Sequence, residues 1–231
     1  MHGSSKNDSG VDGLETASST AEQFANGYVA SKMAPAFRQN IGSDGAPVLD
    51  PTHNVVTEIT EAGYATLYVT DTDLTIPEGV EAFTGEFEKT WLKLNAVDGK
   101  IAAEEPVVLK GEAGFYSFVP TTGATKTEGN VLKGAAEDTD AAGKYILAKP
   151  GDNPVGFYKT SGGIIKAGKA YLELPEESSI KAFYFAGDEA TGLNGLKDLN
   201  GSKDVIFNLA GQRISKTQKG INIIGGKKVL K

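Results

Sequence analysis

Between residues 59 and 186 apolar and polar residues alternate in short runs broken by Gly, Pro, Asp and Asn. That period of two is the signature of strands with one buried face. It predicts strands at 64–69, 80–87, 91–94, 107–109, 115–119, 145–148, 155–158, 169–174 and 180–185. Parallel α/β sheets need crossover helices of about a dozen residues or more between strands, and the intervals leave no room for them. The fold expected is all-β: an antiparallel sandwich or barrel-like module. Pro77-Glu78-Gly79, Pro120, 111–114 and 151–154 supply the turns.

Gly114-Phe115-Tyr116, Gly156-Phe157-Tyr158 and Ala182-Phe183-Tyr184 each set a small residue before Phe-Tyr in a predicted strand. Successive strand residues face opposite ways, so the three Phe rings are expected in the core and Tyr116, Tyr158 and Tyr184 on the outer face. With Trp91 these tyrosines are the candidate binding residues, because exposed rings stack on sugar faces without needing a catalytic acid. Ordinary amphipathic strands with aromatic cross-strand pairs explain the same pattern.

The flanking segments read differently. Residues 1–18 are Ser/Gly/Asp-rich without period, expected as a disordered leader or a vector remnant. Residues 19–56 form a mostly irregular segment with one short predicted helix, capped at Ser19 or Thr20, with Phe24, Tyr28 and Met33 on one side and Gly27 and Pro35 limiting its length. The module proper is placed at 57–186. A glycine-containing linker at 187–204 then leads to 205–231, expected as a short C-terminal β-meander.

The C-terminal stretch carries a resemblance. Asn208-Leu209-Ala210-Gly211-Gln212-Arg213-Ile214, a polar break, then Lys219-Gly220-Ile221-Asn222-Ile223-Ile224-Gly225-Gly226-Lys227-Lys228-Val229-Leu230-Lys231 resembles the ending of many secreted or surface-exposed Bacteroidetes proteins, similar to the cargo signal of type IX secretion. Asn222 and Gly225 depart from the family's frequent aromatic and Asn. The resemblance implies sorting or anchoring roles for Gly211, Arg213, Lys219, Gly220, Lys227, Lys228 and Lys231. It also implies the secretion machinery as partner and the cell surface or extracellular space as location.

Two further stretches fit the same context. Thr20-Ala21-Glu22-Gln23-Phe24 and Phe37-Arg38-Gln39-Asn40-Ile41-Gly42, continuing to Pro47-Val48-Leu49-Asp50-Pro51-Thr52-His53, resemble a unit that closes an upstream repeat region in such proteins, with Gly45 and Ala46 departing from the usual Ala-Tyr. This implies a C-terminal piece of a longer protein. Residues 61–185 resemble the β-rich module that precedes the tag, for which the family assigns no catalytic residues.

Composition narrows the chemistry. The 231 residues contain no cysteine and two histidines, His2 and His53, which removes disulfides, thiolate metal sites and imidazole clusters. The net charge of −7 argues against nucleic acid as principal partner. The charge is uneven: from Lys203 onward seven cations face the single acid Asp204. Such a basic end docks on an acidic receptor, or guards edge strands from aggregation. No apolar run approaches the roughly 18 residues of a membrane span.

Carboxylates are the remaining catalytic material. Glu104-Glu105, Glu176-Glu177 and Asp188-Glu189 are adjacent acids in expected turns, whereas glycoside hydrolysis needs two held about 5 to 9.5 Å apart across a cleft. Asp71-Thr72-Asp73 and Glu137-Asp138-Thr139-Asp140 lack the spacing of a calcium loop, so no cofactor or metal is expected. The leading expectation is a non-enzymatic spacer and presentation domain for a C-terminal tag. A carbohydrate- or adhesin-type module, binding a glycan or host surface, is the alternative, and a glycan hydrolase the third.

Overall fold

The computed structural model describes residues 19–88, 91–175 and 178–185, together with four short strands between 206 and 230. The chain divides into two compact units, Met1–Ala186 and Gly187–Lys231. The predicted leader and the linker at 187–204 lie outside the described residues.

In the first unit two short helices, α1 (Ala21–Ala25) and α2 (Tyr28–Met33), precede the strands. Thr20 caps α1 in a capping box, its Oγ1 accepting from Gln23 N–H at 3.2 Å and Gln23 Oε1 accepting from Thr20 N–H at 2.7 Å. The single predicted helix is split at Gly27, which holds φ +91, a left-handed conformation that ends α1; a Cβ there would also meet Ile41 Cδ1 at 2.5 Å. The face buried is therefore Val29, Ala30 and Ser31 rather than Phe24, Tyr28 and Met33.

The strands are β1 (Val55–Ile59), β2 (Tyr64–Leu67), β3 (Asp73–Thr75), β4 (Val80–Glu88), β5 (Trp91–Val97), β6 (Lys100–Ile101), β7 (Val107–Gly111) and β8 (Gly114–Thr121). They continue as β9 (Lys133–Gly134), β10 (Thr139–Asp140), β11 (Tyr145–Ala148), β12 (Gly156–Lys159), β13 (Ile164–Ile165), β14 (Ala170–Leu172) and β15 (Ala182–Phe185). Each of the nine predicted runs contains a strand. β1 spans the position, between 56 and 57, at which the sequence pattern divides the N-terminal segment from the module.

A nine-stranded sheet runs β2-β7-β4-β5-β15-β12-β11-β14-β9. Its ladders are antiparallel except β15 against β5, which is parallel. The sheet curls until β14 comes back towards β2: Tyr68 N–H donates to Gly168 O at 2.8 Å and Ala170 N–H to Thr66 Oγ1 at 3.1 Å. The result is a nearly closed mixed barrel. Inside it lie Leu92, Val108, Leu132, Tyr145, Phe157, Leu172, Phe183 and Phe185, each large side chain contributing roughly 1.5–3 kcal/mol by burial. The Tyr145 hydroxyl is not left unpaired, since it donates to Ile180 O at 2.6 Å.

A second sheet, β1-β8-β3-β6, covers the outside of the β2-β7-β4 region. Val55, Ile59, Leu74, Ile101 and Phe118 from this sheet pack on Ala65, Leu67, Val80, Ala82, Val107 and Leu109. The run Val107-Val108-Leu109 explains the layering. Its alternate residues face opposite ways, so Val107 and Leu109 enter the outer core while Val108 enters the barrel. A strand buried on both faces needs an unbroken apolar run, and this one has it. A β10-β13 ribbon, with Ile165 among its residues, packs on Ile146 and Tyr171 of the barrel wall.

Buried polar groups tie the N-terminal segment to these layers. Arg38, 3% exposed at its side chain, holds both Asp71 oxygens, at 2.5 and 2.6 Å, and also donates to Pro35 O and Pro51 O. Gln39 Nε2 donates to Phe24 O and Asp44 O.

In the second unit β16 (Ile206–Asn208), β17 (Arg213–Ile214), β18 (Ile221–Ile224) and β19 (Lys227–Leu230) form an antiparallel sheet in the order β17-β16-β18-β19. This differs from a sequential meander. The connection between Ile214 and Ile221 is long enough for the chain to return beside β16, whose residues Ile206 and Phe207 pair with both Ile214 and Arg213 and Ile224 and Ile223.

Candidate functional site

Three of the four aromatic residues singled out in the sequence come together. Trp91 on β5 is the register partner of Tyr184 on the adjoining β15, and Tyr158 lies on the next strand, β12. Ring centroids are 6.1 Å apart for Trp91–Tyr184 and 5.9 Å for Tyr158–Tyr184, the latter edge to face. The row sits on the outer face because the alternate residues Leu92, Phe157, Phe183 and Phe185 fill the barrel. All three rings are half-buried.

Gly156 makes the row possible. It is the register partner of Tyr184, and a Cβ there would lie 2.5 Å from Phe183 O and 3.3 Å from Tyr184 Cδ1. The Tyr158 hydroxyl donates to Pro154 O at 2.5 Å, which fixes its ring. Burial, followed by the neighbouring Tyr184, pushes its pKa up to about 12, so it stays a neutral donor at any physiological pH. Chemically the row offers adjoining, mutually tilted aromatic rings with an indole N–H at one end.

Tyr116 does not join them. On β8 the buried residue is Phe118, so Tyr116, two positions away, packs at the margin of the outer core and donates to Glu112 O at 3.0 Å. Phe115 takes the opposite face, against the Tyr28 ring at 6.0 Å. Core and surface are exchanged in this pair relative to the expectation, whereas Phe157 and Phe183 are buried as expected.

The acidic residues have structural partners. Glu104, at φ +57, is exposed and ion-paired with Lys126 at 2.7 Å, which holds its carboxyl below the usual range. Glu105 is buried, with Oε1 accepting from Thr127 N–H at 2.7 Å. Asp71 belongs to Arg38. Asp73 accepts from Ala103 and Ala124 N–H, each at 2.8 Å, and these bonds lower its pKa. His53 sits between Asp44 and Asp50 in its loop, at 3.5 and 3.4 Å. Among the described residues no group of three or more His, Asp or Glu could hold a metal ion. Glu176, Glu177, Asp188 and Glu189 lie outside them.

Of the basic tag residues, Arg213 falls in β17, paired with Phe207, while Lys227 and Lys228 fall in β19, paired with Ile224 and Ile223. Gly211, Lys219, Gly220 and Lys231 lie outside the described residues. Among those described, no helix is long and apolar enough to cross a membrane.

A cleft of about 760 Å³ opens where α2 and the following Ala34-Pro35 face β2, β11, β13 and β14. Its charged lining includes Lys32, paired with Glu58 at 2.6 Å, Lys166, paired with Asp138 at 3.0 Å, and Lys169. Loss of hydration lowers the Lys169 pKa most, Lys32 lowers it further, and Glu58 opposes both. The cleft's segments are so far apart in the chain that no local pattern could have revealed it.

Comparison with protein-family models, curated proteins and solved structures gives no match.

Proposed function

We propose that this chain is a non-catalytic, extracytoplasmic module of a secreted or cell-surface protein, presenting a C-terminal sorting or anchoring tag. The observation that carries this reading is the division at 186/187. Residues 187–231 have their own four-stranded pairing, as a transferable tag requires, and that segment carries eight cations against four acids in a chain that is acidic as a whole. In the module before it, the candidate acids Glu104, Glu105 and Asp73 serve as ion-pair and loop partners. The test is export. Residues 193–231 fused to a periplasmic reporter, in a host with type IX machinery, are expected to deliver it to the surface. Delivery that survives removal of residues 220–231 refutes the sorting role.

The aromatic row favours a second activity of the same module, binding a sugar ring on the Trp91–Tyr184–Tyr158 face. Stacking of this kind gives weak, geometry-selective binding without catalysis. On a glycan array the full chain is expected to give a signal that Trp91→Ala abolishes. A blank array removes this reading.

A further inference from the structure

The cleft beside α2 has the dimensions and lining of a ligand site. Its volume of about 760 Å³ falls in the range of roughly 300–1,000 Å³ common to small-molecule sites. Its walls are largely small and apolar, with Ala34, Ala65, Leu147 and Val155 among them. Against this background the charges are unbalanced: Lys32, Lys149, Lys166 and Lys169 line the cleft with only Glu58 and Asp138 as carboxylates, in a chain that is acidic as a whole.

The two carboxylates are already engaged. Glu58 accepts from Lys32 and Asp138 from both Lys166 and the Ala167 N–H. Lys169 is half-buried, its Nζ has no hydrogen bond or ion pair among the described residues, and Lys32 repels it. A partly desolvated cation gains from a paired anion, and both carboxylates of the cleft are already engaged.

We infer that this cleft binds a small carboxylic acid with an apolar body, its carboxylate accepting from the Lys169 ammonium and its hydrocarbon lying on the alanine-rich wall. Of the two lining ammoniums without a partner, Lys149 is exposed and Lys169 half-buried, so a single carboxylate placed at Lys169 meets the cation that water reaches less. A phosphate dianion would leave oxygens facing apolar walls without donors. Trp91, Tyr158 and Tyr184 do not line the cleft, so the site is independent of the proposed sugar-binding face and fails or succeeds separately from it.

Sodium octanoate and 1-octanol, which share a chain and differ in charge, are the probes, titrated calorimetrically into the full-length protein at neutral pH. Octanoate is expected to bind saturably and octanol at least tenfold more weakly. Lys169→Met is expected to weaken octanoate by about tenfold or more, since a charge-assisted hydrogen bond is lost, while Lys169→Arg stays within about threefold. Ala36→Trp, which narrows the cleft from an exposed position without touching charge, should weaken both probes and guards against a misfolded Lys169 variant. Lys93→Met, outside the cleft, should change nothing. Equal binding of octanol and octanoate, an unaltered Lys169→Met, or no saturable octanoate binding overturns the inference.

Discussion

Removing Asp71 should harm this protein more than removing the arginine it neutralises. Arg38 is 3% exposed at its side chain and Asp71 46%. Asp71→Ala strands a buried guanidinium with only the Pro35 and Pro51 carbonyls. Breaking a buried pair from one side costs about 3–5 kcal/mol, and the partial hydration of Asp71 reduces that to about 2–3 kcal/mol. At about 2–4 °C per kcal/mol for a chain of this size, the melting temperature should fall by about 4–12 °C. Arg38→Met instead leaves a half-exposed carboxylate that water can solvate, and Met fills the space of the arginine stem. Its cost should be smaller. The double variant should therefore be more stable than Asp71→Ala alone, because deleting the stranded cation is a gain. Urea titration of the three variants measures this. A double variant no more stable than Asp71→Ala, or an Arg38→Met as damaging as Asp71→Ala, refutes the reasoning.

Three further outcomes follow from the same structure. The Asp73 carboxyl is held below its ordinary 3.8 by the Ala103 and Ala124 N–H groups, so its contribution is present above the unfolded pKa and lost as pH falls through the folded one. Asp73→Asn should flatten the acid limb of a stability–pH profile below about pH 4, and an unchanged limb contradicts this. Gly156→Ala drives a Cβ to 2.5 Å from the Phe183 carbonyl and should cost about 1–3 kcal/mol in urea unfolding, whereas Gly162→Ala, with nothing within 4 Å, should stay within about 0.5 kcal/mol. A chain ending at Ala186 should keep a cooperative calorimetric transition, since the first unit has three buried clusters of its own built from residues before that point; loss of the transition would show that the terminal unit completes the fold.

The strands legible in the sequence are those in which alternation persists long enough to be seen, such as Val80–Glu88 and Gly114–Thr121. Lys100–Ile101, Lys133–Gly134, Thr139–Asp140 and Ile164–Ile165 are two residues each, too short to show any period. The triplets ending in Phe-Tyr predict that the two rings separate, but not which enters the core. That depends on the partner layer: Phe118 claims the inner face of β8 and turns Tyr116 with it. Trp91, Tyr158 and Tyr184 meet because β5, β15 and β12 are neighbours, an adjacency no local pattern encodes. The Lys32–Glu58 and Lys166–Asp138 pairs that frame the cleft are hidden for the same reason.

The parallel seam between β5 and β15 also sets an order of events during synthesis. Leu92 and its strand leave the ribosome long before Phe185, the residue it pairs with, so β5 must wait with one edge unpaired while β12, β11 and β14 are still being made. Contacts between such distant residues are slow to form, and an open edge is a template for another chain. The exposed Lys93 on that strand, with Glu86 opposite it on β4, puts charge beside the waiting edge. The charge thus lies beside an edge of β5 that has no strand to pair with until Ala182–Phe185 has been made.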